Sequence, residues 1–167
     1  MIKLIEPDIQ YLPSYTEAFD QYAALGISTY GMTDPGSCDI FEKYENYRLE
    51  RNLKPDRVGS DYYWLVDDER DYFIGEVAIR HRLNDALNLR GGHIGYVIRY
   101  NEWGKGYGTL MLKLALEKAG ERGLEKVLIT CNDSNTASAR VMEKNGCILE
   151  NVIDVEGRPV RRYWRTL

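Results

Sequence analysis

The chain has 167 residues, 44% of them hydrophobic, which suits one domain spanning residues 1–167 with a sizeable core. Its 22 basic and 26 acidic residues leave a net charge of −4, so no general attraction for nucleic acid is expected. Charged residues interrupt every apolar run well before the roughly 18 residues a membrane span requires, and no membrane partner is expected.

The opening "MIKLIEPDIQ" lacks an apolar signal core with a small-residue cleavage site. Cys38, Cys131 and Cys147 form an odd set without CxxC spacing, which points to reduced thiols in a cytoplasmic protein. The 13 tyrosines against 3 phenylalanines suggest an interface or ligand cleft as well as a core.

In chain order, "IKLIEP" reads as a short strand ended by Pro7, and residues 11–25 as a helix with Tyr15, Phe19, Tyr22 and Ala23 near helical spacing. "YGMTDPGS" at 30–37 is a loop. Asp39 caps a second helix that runs to about Leu53. "DYYWLVDDERDYFIGEVAIRH" is a hairpin with strands near 62–66 and 72–80. A polar excursion, "RLNDALNLRGG", precedes the strand "HIGYVIR". Residues 108–121 form a helix with a wide apolar face, suited to packing on a sheet. "EKVLITC" is a buried strand, Ser134 or Asn135 caps the next helix, and the remainder is two strands around Glu156, Gly157 and Arg158.

This order predicts an α/β (α+β) domain with a mixed sheet of six or seven strands flanked by helices. Residues 94–99 and 126–131, joined by an amphipathic helix, should be parallel neighbours in a right-handed crossover.

The stretch "NEWGKGYG" at 101–108 places Gly104, Gly106 and Gly108 at the start of that helix, with Lys105 between two of them. A Walker loop would need Ser or Thr after Lys105, and the dinucleotide fingerprint would need GxGxxG in a tighter turn. A helix N-terminus that offers free N–H groups to a pyrophosphate fits better, with Lys105 as a peripheral charge. Tight packing alone is the competing explanation for the glycines.

Residues 91–116, "GGHIGYVIRYNEWGKGYGTLMLKLAL", closely resemble the strand, acetyl-coenzyme A loop and helix of the GCN5-related N-acetyltransferase (GNAT) superfamily. Gly106 and Gly108 fill its two small positions. Trp103 stands where Arg or Gln is commonest, as in relatives resembling ribosomal-protein alanine acetyltransferases. "NDSNTASARVMEKNG" at 132–146 is the second match. The stretch at 80–96 also looks like a small group of predicted acetyltransferases in the same superfamily.

The resemblance implies acetyl-CoA as cosubstrate, bound by Trp103, Gly104, Lys105, Gly106, Tyr107, Gly108 and Thr109. It further implies that Val97 and Ile98 pair with the pantetheine arm where two strands splay apart. Asn135 would contact that arm or order its loop, and Ser138 would lie along the cofactor.

The implied reaction is direct acetyl transfer to a primary amine of a small molecule or peptide; a non-catalytic acyl-CoA-binding module is the alternative. Many relatives place an acidic tyrosine where this chain has Met142, and Cys147 replaces a usual aromatic. Candidate bases are Glu76, His93 and His81, each with a plain structural alternative. Neither histidine has a carboxylate at ligand spacing, so no metal is expected. The acidic overall charge makes a cationic acceptor reasonable. Tyr and Trp in excess of the core's needs favour a homodimer, with "RRYWRTL" pairing across subunits and Tyr163 and Trp164 on opposite faces.

Overall fold

In this computed structural model, which describes residues 1–28 and 31–167, seven strands divide between two antiparallel sheets. The first contains β1 (Ile2–Ile5), β2 (Ser60–Asp67), β3 (Tyr72–Arg80) and β4 (Ile94–Ile98), in that spatial order. The second places β7 (Arg158–Thr166) between β5 (Lys126–Asn132) and β6 (Ile148–Val155). The helices are α1 (Leu12–Leu25), α2 (Ile40–Arg48), α3 (Asp85–Leu89), α4 (Tyr107–Glu121) and α5 (Thr136–Lys144).

Seven strands with flanking helices match the expected fold class, but the pairing at its centre differs. Among the described residues no parallel ladder joins 94–99 to 126–131. The two sheets meet instead at one antiparallel bridge, Gly92 to Ile129, where His93 N–H donates to Leu128 O at 2.7 Å. Gly92 makes this approach possible. Its φ is +61°, and a Cβ built there would lie 2.3 Å from Leu128 O. Past the bridge, β4 and β5 have separate neighbours.

Local signals explain most element ends. Asp39 accepts the N–H groups of Phe41 and Glu42 at 2.9 and 3.2 Å, a cap that contributes roughly 1 kcal/mol. α2 stops well before Leu53 because Glu50 and Asn52 take left-handed φ values of 53° and 55°. The polar excursion at 82–90 contains α3, too short to show a period; Asn84 caps it by accepting Leu87 N–H at 2.9 Å. Of the expected loop at 30–37, residue 30 lies outside the described residues.

Cross-subunit pairing by "RRYWRTL" is overturned. β7 is an interior strand with one edge taken by β5 and the other by β6. Tyr163 is fully buried and Trp164 half-buried, as opposite faces of one strand allow.

Two packed layers flank the first sheet. On one face α4, α5, β5 and β7 supply Met111, Leu112, Ala115, Val127, Met142 and Tyr163. On the other, α1 and α2 close over aromatic side chains, with the Tyr15 ring stacked on Trp64 at 4.8 Å and edge-on to Phe73 at 5.0 Å. Each such pair adds about 0.5–1.5 kcal/mol beyond area burial. Within this apolar layer the register sets Glu76 opposite both Trp64 and Val97, so a carboxyl group enters it beside β4.

Candidate active site

Two bonds bracket the β3–β4 ladder: Arg80 N–H to His93 O and Arg99 N–H to Ile74 O, both 2.7 Å. Antiparallel alternation between them turns the polar groups of Gly95 and Val97 toward β3 and those of Tyr96 and Ile98 outward. The outward edge is the one facing the gap to β5. Of the two residues expected to meet the pantetheine arm, Ile98 turns its polar groups to the open edge and Val97 turns them to β3; Tyr96 faces outward as Ile98 does.

Ile98 O is already engaged. Trp103 Nε1 donates to it at 2.8 Å and Tyr22 OH at 2.5 Å. Trp103 thus packs against α1 and Tyr100, its indole 4.9 Å from the Tyr100 ring, while remaining about half exposed. The bonds fix where the chain leaves β4 and aim the following loop at the start of α4.

That start has no side-chain cap, and the first helix bond is Leu110 N–H to Gly106 O at 3.1 Å. The N–H groups of Tyr107, Gly108 and Thr109 precede the ladder and point out of the helix end with its partial positive charge. Gly104 and Gly106 have φ of +76° and +86°, and a Cβ on either would meet nothing within 4 Å. Packing therefore does not explain these two glycines; a left-handed backbone and open space before the amides do. At Gly108 packing does contribute, since a Cβ there would be 3.3 Å from Val141 Cγ2. Lys105 differs from expectation: its Nζ is held at 3.0 Å by buried Glu102, which Tyr72 OH also contacts at 3.1 Å. It braces the loop.

α5 closes the other rim. Asn135 is its N-cap, with Oδ1 accepting Ser138 N–H at 3.1 Å, and Asn145 Nδ2 ties the helix to Thr109 O at 3.2 Å. Tyr96 OH and Ser138 Oγ are 2.9 Å apart, linking β4 to α5. Burial pushes the Tyr96 phenol up to about 12. Met142 is fully buried in the core and offers no proton.

The three candidate bases have different surroundings. Glu76 is buried, with Oε2 accepting from Tyr44 OH at 2.5 Å and Trp64 Nε1 at 2.9 Å; among the described residues no donor bonds Oε1. Desolvation raises its pKa to about 7 despite those two donors, close to the optimum for proton transfer at neutral pH. His93 is also buried, but its Nδ1 accepts Leu128 N–H at 2.9 Å, which places the proton of the neutral ring on Nε2. Burial first, then Arg80, lowers its pKa. His81 lies apart, its two nitrogens each 3.3 Å from a carboxylate, Glu50 and Asp61.

An open strand edge thus leads to an uncapped, glycine-lined helix terminus. The sequence model of the acetyltransferase (GNAT) domain matches residues 17–148, and the chain belongs to that family. It is an acetyl-CoA-dependent N-acetyltransferase. Similar solved structures include the microcin C7 self-immunity acetyltransferase MccE in complex with acetyl-CoA and AMP, at TM-score 0.70 and 17% identity over 99% of this chain and 92% of that one. RimL, the ribosomal L7/L12 alpha-N-protein acetyltransferase, in complex with coenzyme A, gives TM-score 0.70 and 16% identity over 99% and 94%. A spermidine N-acetyltransferase SpeG chimera from Vibrio cholerae and hSSAT gives TM-score 0.62 and 16% identity over 99% and 95%.

Proposed function

We propose that this chain transfers acetyl groups to a primary amine by direct attack, with Glu76 as the proton acceptor and no covalent enzyme intermediate. The observation that supports it most is the open β4 edge that runs from the Gly92 bridge to the uncapped start of α4. Bound there, acetyl-CoA supplies an activated thioester carbonyl. The outward N–H groups of Tyr96 and Ile98 hold its amide-bearing arm, and the N–H groups of residues 104–109, Lys105 included, meet the pyrophosphate. Asn135 and Ser138 form the opposite rim.

The amine nitrogen bonds to the carbonyl carbon, the C–S bond breaks, and sulfur leaves as a thiolate. Glu76 takes the nitrogen's proton through Oε1, by way of a water, while Tyr44 and Trp64 hold Oε2. Tyr96 OH, weakly acidic at about 12, stabilises the thiolate by donating a hydrogen bond and keeps its own proton. His93 positions the junction between the sheets, and His81 takes no part.

We read residues 1–167 as one domain, since residues of both sheets share one core. A cytoplasmic setting fits the three unbridged cysteines, and no described helix is long and apolar enough to cross a membrane. A homodimer through β6 fits its exposed Ile148, Leu149 and Val152.

The decisive experiment screens amines and peptides for free-thiol release, with mass spectrometry of the acetylated product. Transfer to at least one amine is expected. Acetyl-CoA binding without any acetylated product would leave a non-catalytic binding module instead.

A further inference from the structure

Arg80 ends β3 with its guanidinium laid over the start of β4. Nη1 donates to Gly91 O and Gly92 O at 3.0 Å each, and a Cβ built on Gly95 would sit 3.4 Å from Nη2 and 3.5 Å from Nη1. The guanidinium therefore stands beside the junction where the two sheets part, on the face of β3 that also carries Glu76. It is half-buried, and among the described residues no carboxylate lies within ion-pair distance of it.

In the β2–β3 register Ser60 stands opposite Arg80 and Tyr62 two residues further on, so Tyr62 shares the face that carries Arg80. The Tyr62 ring is stacked 4.5 Å from Tyr44 and lies 5.7 Å from Tyr47, so α2 supplies an aromatic wall to the same spot. In the turn just before Gly91, Arg90 keeps Nε and Nη2 buried without any partner, the only such side-chain atoms among the described residues. A half-buried guanidinium with no anion beside it, as Arg80 and Arg90 each are among the described residues, is unfavourable unless a ligand provides one.

We infer that the amine acceptor is a small molecule that also carries an oxyanion, carboxylate or phosphoryl, which Arg80 holds while the amine reaches β4 beside Glu76. This rests on the acetyltransferase reading above. Among the described residues Nη2 and Nε of the planar guanidinium make no hydrogen bond, and that edge matches two oxygens of one oxyanion. Tyr62 lies on the same face, with Tyr44 and Tyr47 of α2 against its ring.

The test uses matched amines on one skeleton: β-alanine, β-alaninamide, 2-aminoethylphosphonate and 1,3-diaminopropane, with methionine and methioninamide as an α-amino pair. A polyamine and a neutral peptide complete the set. The acid or phosphonate forms should exceed their amide and diamine counterparts in kcat/KM by roughly tenfold or more, and the better of the two names the oxyanion. In Arg80→Gln the KM for anionic acceptors should rise by roughly 10- to 100-fold while the KM for acetyl-CoA and the rates with neutral amines stay put, and Arg80→Lys should recover part of the loss. If Arg80→Gln fails to fold, the preference of the unmodified protein still decides. Equal use of amide or diamine forms, or transfer confined to the polyamine or peptide, overturns the inference and leaves the acetyltransferase reading standing. So does an equal loss across all acceptors in Arg80→Gln. No product from any amine, with acetyl-CoA still bound, overturns the enzymatic reading itself.

Discussion

The Nδ1 atom of His93 accepts the backbone N–H of Leu128 at 2.9 Å, while the N–H of His93 donates to the carbonyl of that same leucine at 2.7 Å. One residue therefore satisfies both polar groups of Leu128 where the sheets meet. A His93 that accepted a substrate proton on Nδ1 would leave a buried N–H unpaired, a loss of about 1–3 kcal/mol.

His93→Asn retains an acceptor near the Nδ1 position and should keep most of the stability and the pH profile of kcat/KM. His93→Leu should lower stability by roughly 1–3 kcal/mol in urea unfolding. A shift of the acidic limb of the profile in His93→Asn would return the histidine to the role of base.

Glu76 should govern that limb. With a pKa of about 7, it is half protonated near neutrality, so kcat/KM should rise with pH through that value. Glu76→Gln should flatten the limb and lower kcat by roughly 100-fold or more, with acetyl-CoA affinity retained. Stopped-flow single turnovers separate the chemical step from binding.

The same carboxyl predicts a stability slope. Its folded pKa lies above the ordinary value of 4.5, so between 4.5 and about 7 the folded chain binds more protons than the unfolded one. Stability should fall as pH rises through this window, by at most about 3 kcal/mol from this group. Denaturant midpoints at pH 5 and pH 8, compared between the unmodified chain and Glu76→Gln, check it: the variant should lose that part of the slope.

Gly106→Val should weaken acetyl-CoA binding about tenfold or more by calorimetry, since the added atoms fill the space before the α4 amides. The left-handed φ of +86° adds roughly 1–3 kcal/mol of strain. Undiminished binding would remove this loop from the cofactor site.

Much of this site was legible because glycine and capping residues declare backbone states locally. Gly104, Gly106 and Gly108 marked the start of α4 before any contact was known, and Asn135 marked that of α5. Other features depend on partners far along the chain. Capture of Ile98 O by Tyr22 spans 76 residues, and no periodicity in either segment signals it. Alternation assigns Tyr96 and Val97 to opposite faces, but which polar groups face an open edge follows only from knowing that β3 takes the other side. The hairpin of β6 and β7 was readable from its turn; the insertion of β7 beside β5 was not. Arg80 reads as one more strand residue until Gly91, Gly92 and Gly95 are seen beneath it.

The central place of β7 also governs how the chain is made. β7 leaves the ribosome after both strands it joins, so β5 and β6 emerge with nothing between them. Until it arrives, Val127 and Ile129 of β5 lack the ladder that covers their backbone, and the apolar residues of β6 have no sheet to belong to. The half of the molecule bearing α1, α2 and β1–β4 has by then already been synthesised, so the two halves acquire their structure at different moments of translation. The nascent second sheet is consequently the interval in which a chaperone has the most to hold.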